Sequence, residues 1–433
     1  MSNEQLAISN EPQTRQMKDS GVEWIGEIPE KWETMLVKNL FDITRGRVIA
    51  KTEIEEEPKE NYYPVYSSQT ANNGVLGYIP THDYSVDSLT WTTDGAKAGT
   101  VFLRRGKYSI TNVCGILTPK SSEQCLEYLH YSVSYSASNC RRADINGYKI
   151  MSNEMAVIPL ILPPLHEQQT IAAYLDRKCT QIDTLIANQQ QQIEKLKAYK
   201  QSVITETVTK GLDPDVAMKD SGVEWIGEIP EHWELIPLKY LVSYNDDIIE
   251  ETTDSEFEFD YIDISSVEHG RGITKLQTMK FMDSPSRARR IVKKDDVILS
   301  TVRTYLKAVA RINNFIRPQI VSTGFIVLRA KKDRIEPGYL SYSVLSNCFI
   351  SMVESRSVGI SYPAITASDV VKIQIPIPSI NVQQKIAAHL DKKCSQIDKL
   401  IALKQQKIEK LQQYKKSLIY EYVTGKKQLA MCN

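Results

Sequence analysis

The feature that most limits how this chain can fold is an internal duplication. The motif MKDSGVEWIGEIPEKWE at residues 17–33 returns as MKDSGVEWIGEIPEHWE at residues 218–234, with 16 of 17 positions identical. A second duplication follows, because residues 168–209 match residues 383–424 at 28 of 42 positions. The stretches between the copies share no comparable identity. Repetition of this kind indicates a constant frame around two different inserts.

The repeated long segments predict helices. Each runs for about 40 residues without proline or internal glycine, and steps of four and three residues trace an apolar seam that is typical of heptads. Eight of the ten seam positions are apolar in each copy. The polar exceptions fall at matching places, Gln189 and Lys200 against Lys404 and Lys415. Polar residues at seam positions are a known means of fixing helix register.

The relative direction of the two helices follows from how far the short linker between the repeats can extend. Only eight residues, KGLDPDVA, separate the first helix from the second motif, and eight residues span at most about 28 Å. The second insert therefore starts near the end of the first helix, and the second helix returns along it. We expect an antiparallel pair about 60 Å long, with two inserts related by a pseudo-twofold axis. The alternative is a helical arm joining two unrelated domains, against which the duplicated motif argues.

The chain divides into six segments on these patterns. Both inserts predict α+β structure, because β-rich runs alternate with Gly, Asn and Asp turns, and each predicts a short helix, near 125–135 and near 337–353. The segments are an N-terminal tail with the first motif (1–33), a first domain (34–165), a central long helix (166–210), a linker with the second motif (211–234), a second domain (235–380), and a distal long helix with a C-terminal tail (381–433).

Charge is uneven within the inserts although the whole chain has a net charge of zero. Residues 269–317 hold 12 Lys and Arg against three Asp, and residues 95–122 hold five Lys and Arg and no acid. Basic side chains beside Gly, Ser, Tyr and Asn suit phosphate contact and base reading; the alternative for each is a solvated surface charge. The candidates for DNA contact are Lys97, Arg104, Arg105, Lys107, Arg287, Arg289, Arg290, Arg303, Tyr305 and Lys307.

Catalytic and metal-binding patterns are absent from the sequence. There is no phosphate loop, no G-x-G-x-x-G and no Asn/Asp-Pro-Pro-aromatic turn, and His and Cys do not cluster at metal-ligand spacing. Cys179 and Cys394 lie on the helix seam and are interpreted as core residues. Seven scattered cysteines, a polar start and the lack of an apolar run near 20 residues predict a cytoplasmic chain that does not contact a membrane.

Three motifs together resemble the specificity subunits of type I restriction–modification enzymes, over essentially the whole chain. They are GVEWIGEIPEKWE with its copy, Pro-x-x-x-x-Gln-Gln-x-Ile-Ala-x-x-Leu-Asp at 163–176 and 378–391, and Gly-Ile-Ser-Tyr-Pro-Ala-Ile-Thr at 359–366. The resemblance implies two α/β target recognition domains, separated by paired antiparallel coiled-coil helices. Each domain would read one half of a bipartite asymmetric site in double-stranded DNA, and the helices would set the spacer.

The resemblance also implies partners and further site residues. Two methyltransferase subunits and two restriction/translocase subunits would complete the complex and would hold S-adenosylmethionine, ATP and Mg²⁺, with no cofactor in this chain. Ser361 and Tyr362 of the third motif join the DNA-contact candidates. At the matching place in the first domain, residues 147–151 read Gly-Tyr-Lys-Ile-Met, so Tyr148 and Lys149 are the corresponding candidates although the motif itself is missing.

The copied 17-residue motif is expected to anchor each domain to the frame. Its apolar residues, Val22, Trp24, Ile25, Ile28 and Trp32, are the predicted anchors; a direct contact with a methyltransferase subunit is the alternative. Two other classes of protein compete with a non-catalytic recognition subunit. One is a nuclease or methyltransferase with an embedded recognition module, which would need a catalytic motif. The other is a coiled-coil adaptor, which would leave no footprint on DNA.

Overall fold

The computed structural model describes residues 15–145, 147–313 and 315–429. The outer parts of the two tails, residues 1–14 and 430–433, lie outside this description. The chain divides into two compact units, unit 1 with residues 1–187 and 408–433 and unit 2 with residues 188–407. Each unit contains one copy of the motif, one recognition domain and a part of both long helices. Among the described residues, no helix combines the length and apolarity required to cross a membrane.

Unit 1 combines many short strands with few helices. Its strands are β1 (Met17–Asp19), β2 (Glu27–Pro29), β3 (Glu33–Leu36), β4 (Phe41–Arg45), β5 (Tyr63–Tyr66), β6 (Val75–Ile79), β7 (Ser88–Thr92), β8 (Asp94–Gly95), β9 (Val101–Arg104), β10 (Ser109–Ile110), β11 (Cys114–Pro119), β12 (Arg142–Asp144), β13 (Gly147–Lys149) and β14 (Pro159–Leu162). Its helices are α1 (Val37–Leu40), α2 (Leu126–Cys140), α3 (Ser152–Ala156) and the start of α4 (Leu165–Lys210).

Unit 2 begins with the same order of elements, three strands, a short helix and a strand. Its strands are β15 (Met218–Asp220), β16 (Glu228–Pro230), β17 (Glu234–Pro237), β18 (Val242–Tyr244), β19 (Glu258–Ile262), β20 (Val267–Glu268), β21 (Gly272–Ile273), β22 (Gln277–Lys280), β23 (Ala288–Val292), β24 (Val297–Ser300), β25 (Val309–Arg311), β26 (Gln319–Ser322), β27 (Phe325–Ala330) and β28 (Gln374–Ile377). Its helices are α5 (Leu238–Leu241), α6 (Pro337–Leu345), α7 (Asn347–Ser355), α8 (Ala367–Val370) and the larger part of α9 (Ile380–Val423).

Both domains are built on the same four-stranded antiparallel sheet. The strand order is β4-β11-β7-β9 in the first domain and β18-β27-β24-β25 in the second. The central strands are buried on both faces, as in Ser88–Thr92 and Val297–Ser300, which explains their continuous runs of apolar and small residues. The predicted α+β class with two α/β domains is therefore confirmed.

The second sheet differs between the domains. The first domain has a three-stranded sheet of order β10-β5-β6, and the second has a four-stranded sheet of order β22-β19-β26-β23. Both contain one parallel pair, β5 with β10 and β19 with β26. Strand β23 has no counterpart in the first domain, and it carries part of the arginine-rich segment.

The short helix predicted near 337–353 is in fact two helices. The chain leaves helical geometry at Ser346, whose φ is −64° and ψ is 150°. The Ser346 hydroxyl accepts a hydrogen bond from the Phe349 amide at 3.3 Å, so the residue ends α6 and caps α7. Serine at this position satisfies a backbone donor that the first turn of a helix leaves open, and apolar periodicity alone does not reveal such a break.

The glutamines of the repeated Pro-x-x-x-x-Gln pattern join each domain to its long helix. The Gln168 amide nitrogen donates to the Pro163 carbonyl at 2.9 Å, and its amide oxygen accepts from the Cys125 amide at 3.1 Å. Gln383 repeats both bonds, donating to the Pro378 carbonyl at 2.9 Å and accepting from the Glu336 amide at 2.8 Å. Both side chains are buried, so each satisfies backbone groups that would otherwise lack partners.

Two buried tyrosines make a second matching connection. The Tyr128 hydroxyl lies 2.8 Å from the Ile161 carbonyl of β14 and 3.2 Å from the Val423 carbonyl of α9. In unit 2 the Tyr339 hydroxyl lies 2.7 Å from the Pro376 carbonyl of β28 and 3.1 Å from the Val208 carbonyl of α4. Burial raises the pKa of both hydroxyls. Each domain is thus bonded to the end of the long helix that it does not itself precede.

The predicted anchoring role of the 17-residue motif is confirmed for its core positions. Ile25, Ile28 and Trp32 are buried in unit 1, with Val22 and Trp24 packed against the same core. In the second copy the equivalents of the three core residues are also buried, but Trp225 is 44% exposed. Trp24 is partly shielded from solvent by Tyr135, and the centroids of the two rings lie 5.7 Å apart. The same motif therefore presents an indole to solvent in unit 2.

The long helices pack antiparallel within each unit. In unit 1 the rings of Tyr174 and Tyr422 lie 4.7 Å apart, while Lys415 forms an ion pair with Asp183 at 2.7 Å. Residue numbers at successive contacts therefore increase along one helix and decrease along the other.

In unit 2 the seam lysine Lys200 pairs with Asp398 at 2.7 Å, and Lys404 contacts Gln189 at 3.5 Å. These two contacts again run in opposite directions along the two helices. All four polar seam residues thus have polar partners, as expected of residues that fix register.

Candidate nucleic-acid interface

The β24–β25 turn (301–308) of the second domain carries three of the predicted contact residues. Arg303 and Lys307 both have left-handed backbones, with φ of 51° and 52°, and they flank a single 3₁₀ turn. Non-glycine residues adopt this conformation rarely, and it persists where the surroundings hold it. Between them Tyr305 is 52% exposed. The turn thus presents Arg303 and Tyr305 outward from the end of the sheet.

A short hairpin (358–364) lies directly beside this turn. Val358 and Ala364 exchange backbone hydrogen bonds of 2.9 and 3.0 Å, and Gly359 has a φ of 118°. A Cβ at Gly359 would lie 3.1 Å from the Tyr362 carbonyl oxygen, so the tight turn requires glycine. The hairpin thus explains why the Gly-Ile-Ser-Tyr-Pro motif begins with glycine.

The turn and the hairpin contact each other through backbone and side chain. Val302 forms a bridge with Ala364, and the Arg303 guanidinium carbon lies 5.0 Å from the centre of the Tyr362 ring. Ser361 and Tyr362 are exposed, Tyr362 at 66%. Within the described ranges, Arg303 has no carboxylate within ion-pair distance. The structure therefore brings Arg303, Tyr305, Ser361 and Tyr362 into one exposed cluster.

Lys307 belongs to the same turn but is partly neutralised. Its ammonium lies 3.3 Å from the Glu354 carboxylate, and its carbonyl faces His269 Nδ1 at 3.1 Å. Burial is the main cause that lowers the pKa of His269, so this imidazole is neutral at physiological pH. Lys307 is thus tied to α7 and to the β20–β21 region.

The three arginines of the β23 segment have different surroundings. Arg287 lies at the end of the strand nearest the turn, with its side chain exposed and paired with Asp263 at 3.0 Å. Arg289 lies half-buried with its guanidinium 5.7 Å from the Phe281 ring. Arg290 is half-buried, its Nη1 has no hydrogen-bond partner in the described part of the chain, and burial lowers its pKa.

Backbone hydrogen bonds connect Arg287 to the turn. The Thr323 amide donates to the Arg287 carbonyl at 2.8 Å, and the Thr301 amide donates to the Gly324 carbonyl at 2.7 Å. Arg287 therefore lies beside the cluster of the turn and hairpin. Arg289 and Arg290 lie further along the strand, away from that edge.

The first domain has the same pair of elements with different residues. Its β7–β9 connection (93–100) contains β8, and β8 pairs with the β12–β13 hairpin through Tyr148 opposite Gly95. Residues 147–151, which lack the Ser-Tyr-Pro sequence, thus include one strand of a hairpin in the corresponding place. Lys97 is exposed and donates to the Thr70 hydroxyl at 3.1 Å. Lys149 pairs with Asp144 at 3.6 Å.

Arg141 is a residue of this hairpin region that the sequence reasoning missed. Its guanidinium carbon lies 3.9 Å from the centre of the Tyr148 ring, an arrangement like that of Arg303 and Tyr362. Tyr148 is 39% exposed. The Arg141-Arg142 doublet, a few residues after the helix predicted near 125–135, was the available signal, but it lies outside the basic stretch that directed attention to residues 95–122.

Three other basic candidates of the first domain lie elsewhere. Arg104 is 2% exposed and belongs to the core. Arg105 is exposed and pairs with Asp87 and Glu127, and Lys107 lies 5.5 Å from the Tyr63 ring. Because β9 pairs with β7 so that Arg104 faces Ser88, these residues lie at the end of the sheet opposite the β7–β9 connection. They do not join the exposed cluster of Lys97, Tyr148 and Lys149.

The described residues do not form a metal-binding site. Within residues 15–145, 147–313 and 315–429, no group of three His, Cys, Asp or Glu side chains could hold a metal ion. Cys179 and Cys394 are buried in the helices, and burial raises the pKa of both thiols. A raised pKa keeps a thiol protonated and unreactive, which agrees with the core role predicted for these residues.

Comparison with known proteins places this geometry in a family. The profile described as type I restriction modification DNA specificity domain matches residues 29–195 and again residues 230–413. The specificity subunit of the type I restriction enzyme MjaVIII from Methanocaldococcus jannaschii is 27% identical over 420 residues, covering 92% of this chain and 93% of its own. A Mycoplasma pneumoniae protein named as a type I specificity subunit N-terminus is 41% identical over 144 residues, covering 33% of this chain and 76% of its own.

A solved structure supports the fold. A chain from a study of complex assembly and conformational transition of a type I restriction–modification system superposes with a TM-score of 0.62 at 15% identity, covering 92% of this chain and 99% of that one. The two profile matches each take in one recognition domain. The chain belongs to the family of type I restriction–modification DNA specificity subunits and carries two copies of the specificity domain.

Proposed function

We propose that each domain reads one half of a bipartite DNA site through its paired loops. The observation that carries this proposal is that the same sheet presents a strand turn and a hairpin at one edge in both domains, although their sequences lack the identity of the repeated segments. In the second domain these are residues 301–308 and 358–364, and in the first they are 93–100 and 142–149. Exposed Arg, Lys, Tyr and Ser side chains there suit phosphate contact and base-edge hydrogen bonding.

The predicted contact residues divide by position under this proposal. Lys97, Tyr148 and Lys149 would contact the first half-site, and Arg303, Tyr305, Ser361 and Tyr362 the second. Arg287 and Lys307 are supporting contacts at the edge of the second cluster. Arg289 and Arg290, together with Arg105 and Lys107, would contact only DNA that extends beyond the loops. Because the two clusters present different side chains apart from one Arg–Tyr pair in each, the two half-sites would differ in sequence and the full site would be asymmetric.

The long helices would set the distance between the half-sites. The antiparallel contacts within each unit support this role, since the polar seam residues hold each helix segment in one register. Lys200 with Asp398 in unit 2 and Lys415 with Asp183 in unit 1 are equivalent pairs. A slip of one helix by a turn would separate each lysine from its aspartate and expose apolar seam residues.

Docking of two copies of the same partner, the methyltransferase subunit, is the second part of the proposal. It is supported by exposed apolar residues that recur outside the seam at the offset of 215. Leu185 and Leu400 are 45% and 47% exposed, and Tyr199 and Tyr414 are 49% and 54% exposed. Each unit thus contains one such leucine and one such tyrosine. Two equivalent surfaces suit two identical subunits better than one shared partner.

Catalysis would belong to those partners. We assign S-adenosylmethionine to the methyltransferase subunits, and ATP and Mg²⁺ to two restriction/translocase subunits, because this chain contains neither a phosphate-binding loop nor a methyltransferase signature. The protein would then be a non-catalytic recognition and assembly subunit that gives both methylation and restriction their specificity, in the cytoplasm.

Mapping of methylated adenines in a host that carries the chain and its methyltransferase partner tests the function. The expected result is one two-part asymmetric sequence with a fixed gap. The purified chain alone should neither methylate nor cleave DNA, and the assembled complex should protect that sequence from chemical cleavage. Methylation or cleavage by the chain alone would favour an enzyme with an embedded recognition module. Absence of a footprint from the assembled complex would favour an adaptor.

A further inference from the structure

The first domain has a polar loop that the paired-loop arrangement does not account for. Residues 67–74, Ser-Ser-Gln-Thr-Ala-Asn-Asn-Gly, connect β5 to β6. Three consecutive residues, Asn72, Asn73 and Gly74, have φ of 47°, 50° and 79°. Asparagine is one of the few residues with a side chain that adopts this conformation readily. A run of three is nevertheless unusual, and it persists only where neighbouring groups hold it.

Arg104 is the group that holds this loop. Its guanidinium carbon lies 3.5 Å from the centre of the Tyr66 ring and 4.4 Å from that of Phe102. Its Nη1 donates to the Asn73 carbonyl at 2.7 Å, and its Nε donates to the Thr90 hydroxyl at 3.0 Å. Burial lowers the pKa of Arg104 to about 10, so the guanidinium remains charged at neutral pH.

The partners of this buried cation are unusual. Within the described residues no carboxylate lies within ion-pair distance of Arg104, so two aromatic faces and a loop carbonyl stabilise the charge in place of an acid. Gly74 lies so near that a Cβ there would be 2.9 Å from Nη2 of Arg104. A buried charge is costly unless its hydrogen bonds are made. Arg104 therefore favours the loop conformation in which the Asn73 carbonyl faces it.

The loop borders the cluster proposed to read the first half-site. Lys97 of the β7–β9 connection donates to the Thr70 hydroxyl of the loop, and the Thr111 hydroxyl bonds to Ser67 at 3.2 Å. Asn72 and Asn73 are both exposed. Their side-chain amides make no hydrogen bond within the described residues. Two free amides thus follow Thr70 within the same loop, on a backbone that the core holds in place.

We propose that residues 67–74 are a third DNA-reading loop of the first domain, in which Asn72 and Asn73 read base edges and Arg104 is the positioning residue. The inference rests on the proposed function and assigns specificity to residues outside the paired loops. A carboxamide presents one donor and one acceptor side by side, which matches the major-groove edge of adenine. Amides fixed by a strained backbone lose little entropy on binding, which favours discrimination between bases.

Glycine substitution isolates the amides from the loop shape. Glycine adopts a positive φ without strain, so Asn72→Gly with Asn73→Gly removes both carboxamides and keeps the conformation available. In the complex with the methyltransferase subunits, we expect discrimination to fall by about 10- to 100-fold at one or two positions of the first half-site. The second half-site and the gap should be unchanged. Asn61→Gly is the matched control, since Asn61 is exposed, has a φ of 62° and precedes β5 at the other end of that strand.

The outcomes separate this inference from the proposed function. A double variant with the same methylated sequence as the parent chain would overturn the third loop, while the two-part site itself would stand. A parent complex without any two-part site would instead overturn the proposed function. Relaxation of the second half-site would also contradict the inference, because residues 67–74 belong to the first domain.

Arg104→Met tests the positioning role by a different readout. If Arg104 acts through the loop, the variant should relax the same positions as the asparagine variant. The slope of log affinity against log salt should then be unchanged. A direct phosphate contact would instead lower that slope by about one and leave base preference intact, which would overturn the positioning role. If the variant does not fold, the asparagine variants still decide the proposal.

Discussion

The two recognition domains share their scaffold and differ at the edge where we place the DNA. Both contain the four-stranded sheet in the same strand order, the buried tyrosine that bonds to a frame strand and a long helix, and the glutamine that joins domain to helix. They differ in the second sheet, where, among the described residues, β23 belongs to the second domain alone, and in most of their exposed loop residues. The comparison teaches that the repeated glutamines, together with a sheet and a tyrosine from the unrepeated sequence, specify the shared scaffold, while the loops specify what each domain presents.

Two arginines make the same contrast inside the domains. In the second domain the half-buried Arg329 pairs with Asp296, which is 2% exposed at its side chain, and with Asp247. Hydrogen bonds to Asp296 are the main cause that raises the pKa of Arg329. In the first domain the buried Arg104 has aromatic faces and a loop carbonyl as partners. One domain uses its arginine to join strands, and the other uses its arginine to shape a loop.

The largest expected effect comes from deleting the second domain and its long helix, so that the first domain is the only one left. Residues 1–215 contain one motif, one domain and one helix with an exposed seam. A second copy would supply Val208 in the place of Val423, which accepts from Tyr128, and Lys200 in the place of Lys415. We therefore expect the fragment to form an antiparallel dimer. With methyltransferase subunits it should modify a palindromic site made of two first half-sites.

The aromatic contact between Tyr174 and Tyr422 would be lost in such a dimer, because Thr207 replaces Tyr422. The dimer should thus be less stable than the intact chain at low protein concentration. Sedimentation over a concentration series measures the association, and methylation mapping measures the site. A monomeric fragment, or one that modifies an asymmetric site, would contradict the equivalence of the two frames.

These two arginines should differ in their contribution to stability. Arg329→Met leaves the buried Asp296 carboxylate without its ion-pair partner, and a buried charge left in this way costs up to about 3–5 kcal/mol. Arg104→Met leaves hydroxyl and carbonyl groups without a donor, which costs about 1–3 kcal/mol. Hydrogen exchange of amides in β27 and in β7 measures the two domains separately within one chain. Equal losses would mean that the acid partners of Arg329 contribute nothing beyond ordinary hydrogen bonds.

The basic residues of the second domain should affect DNA affinity by a smaller amount. Alanine replacement of Arg287, Arg289, Arg290, Arg303 and Lys307 should weaken binding to all sequences, and each lost phosphate contact should lower the salt slope by about one. Of the single variants, Arg303→Ala should have the largest effect, because this exposed guanidinium has no ion-pair partner in the described structure. A base-reading member should cost about 1–3 kcal/mol at one position.

Lys294→Ala is the control for that experiment. Lys294 is exposed in the same basic stretch but lies in the β23–β24 turn, at the end of β24 opposite the proposed reading turn. Its replacement should leave affinity and salt slope unchanged. If the five-residue variant also leaves both quantities unchanged, the DNA-facing assignment of this segment is wrong.

The sequence predicted the structure best where the pattern depends on neighbouring residues and occurs twice in the chain. Heptad spacing revealed both helices, and the matching polar seam residues predicted a fixed register, although not the partner that Lys200 finds in Asp398. The anchor residues Ile25, Ile28 and Trp32 could be predicted because the motif occurs twice while the sequence around it differs.

The candidate site was harder to predict from the sequence, because its residues come together only through long-range strand pairing. Arg104 lay in the same basic stretch as Lys97, yet Arg104 is buried against Tyr66 and Thr90, whereas Lys97 is exposed in the β7–β9 connection. Charge counting cannot separate such residues. The left-handed Asn72 and Asn73 carried only a general turn signal.

The central claim is that the frame sets the spacing and the domains set the bases, and lengthening the helices tests it directly. One heptad inserted into each helix, near 189–192 and near 404–407, keeps the seam in phase. It falls between the pairs Lys200–Asp398 and Lys415–Asp183, so both can still form. The insertion adds about 10.5 Å, which is about three base pairs at about 3.4 Å each.

The measurement is the set of methylated sites in a host that carries the lengthened chain and its partners. Three base pairs also turn the duplex by about a third of its repeat of about 10.5 base pairs, so affinity will fall. The account predicts the same two half-sites separated by a longer gap. An unchanged gap, or a change in the bases of either half-site, would contradict it.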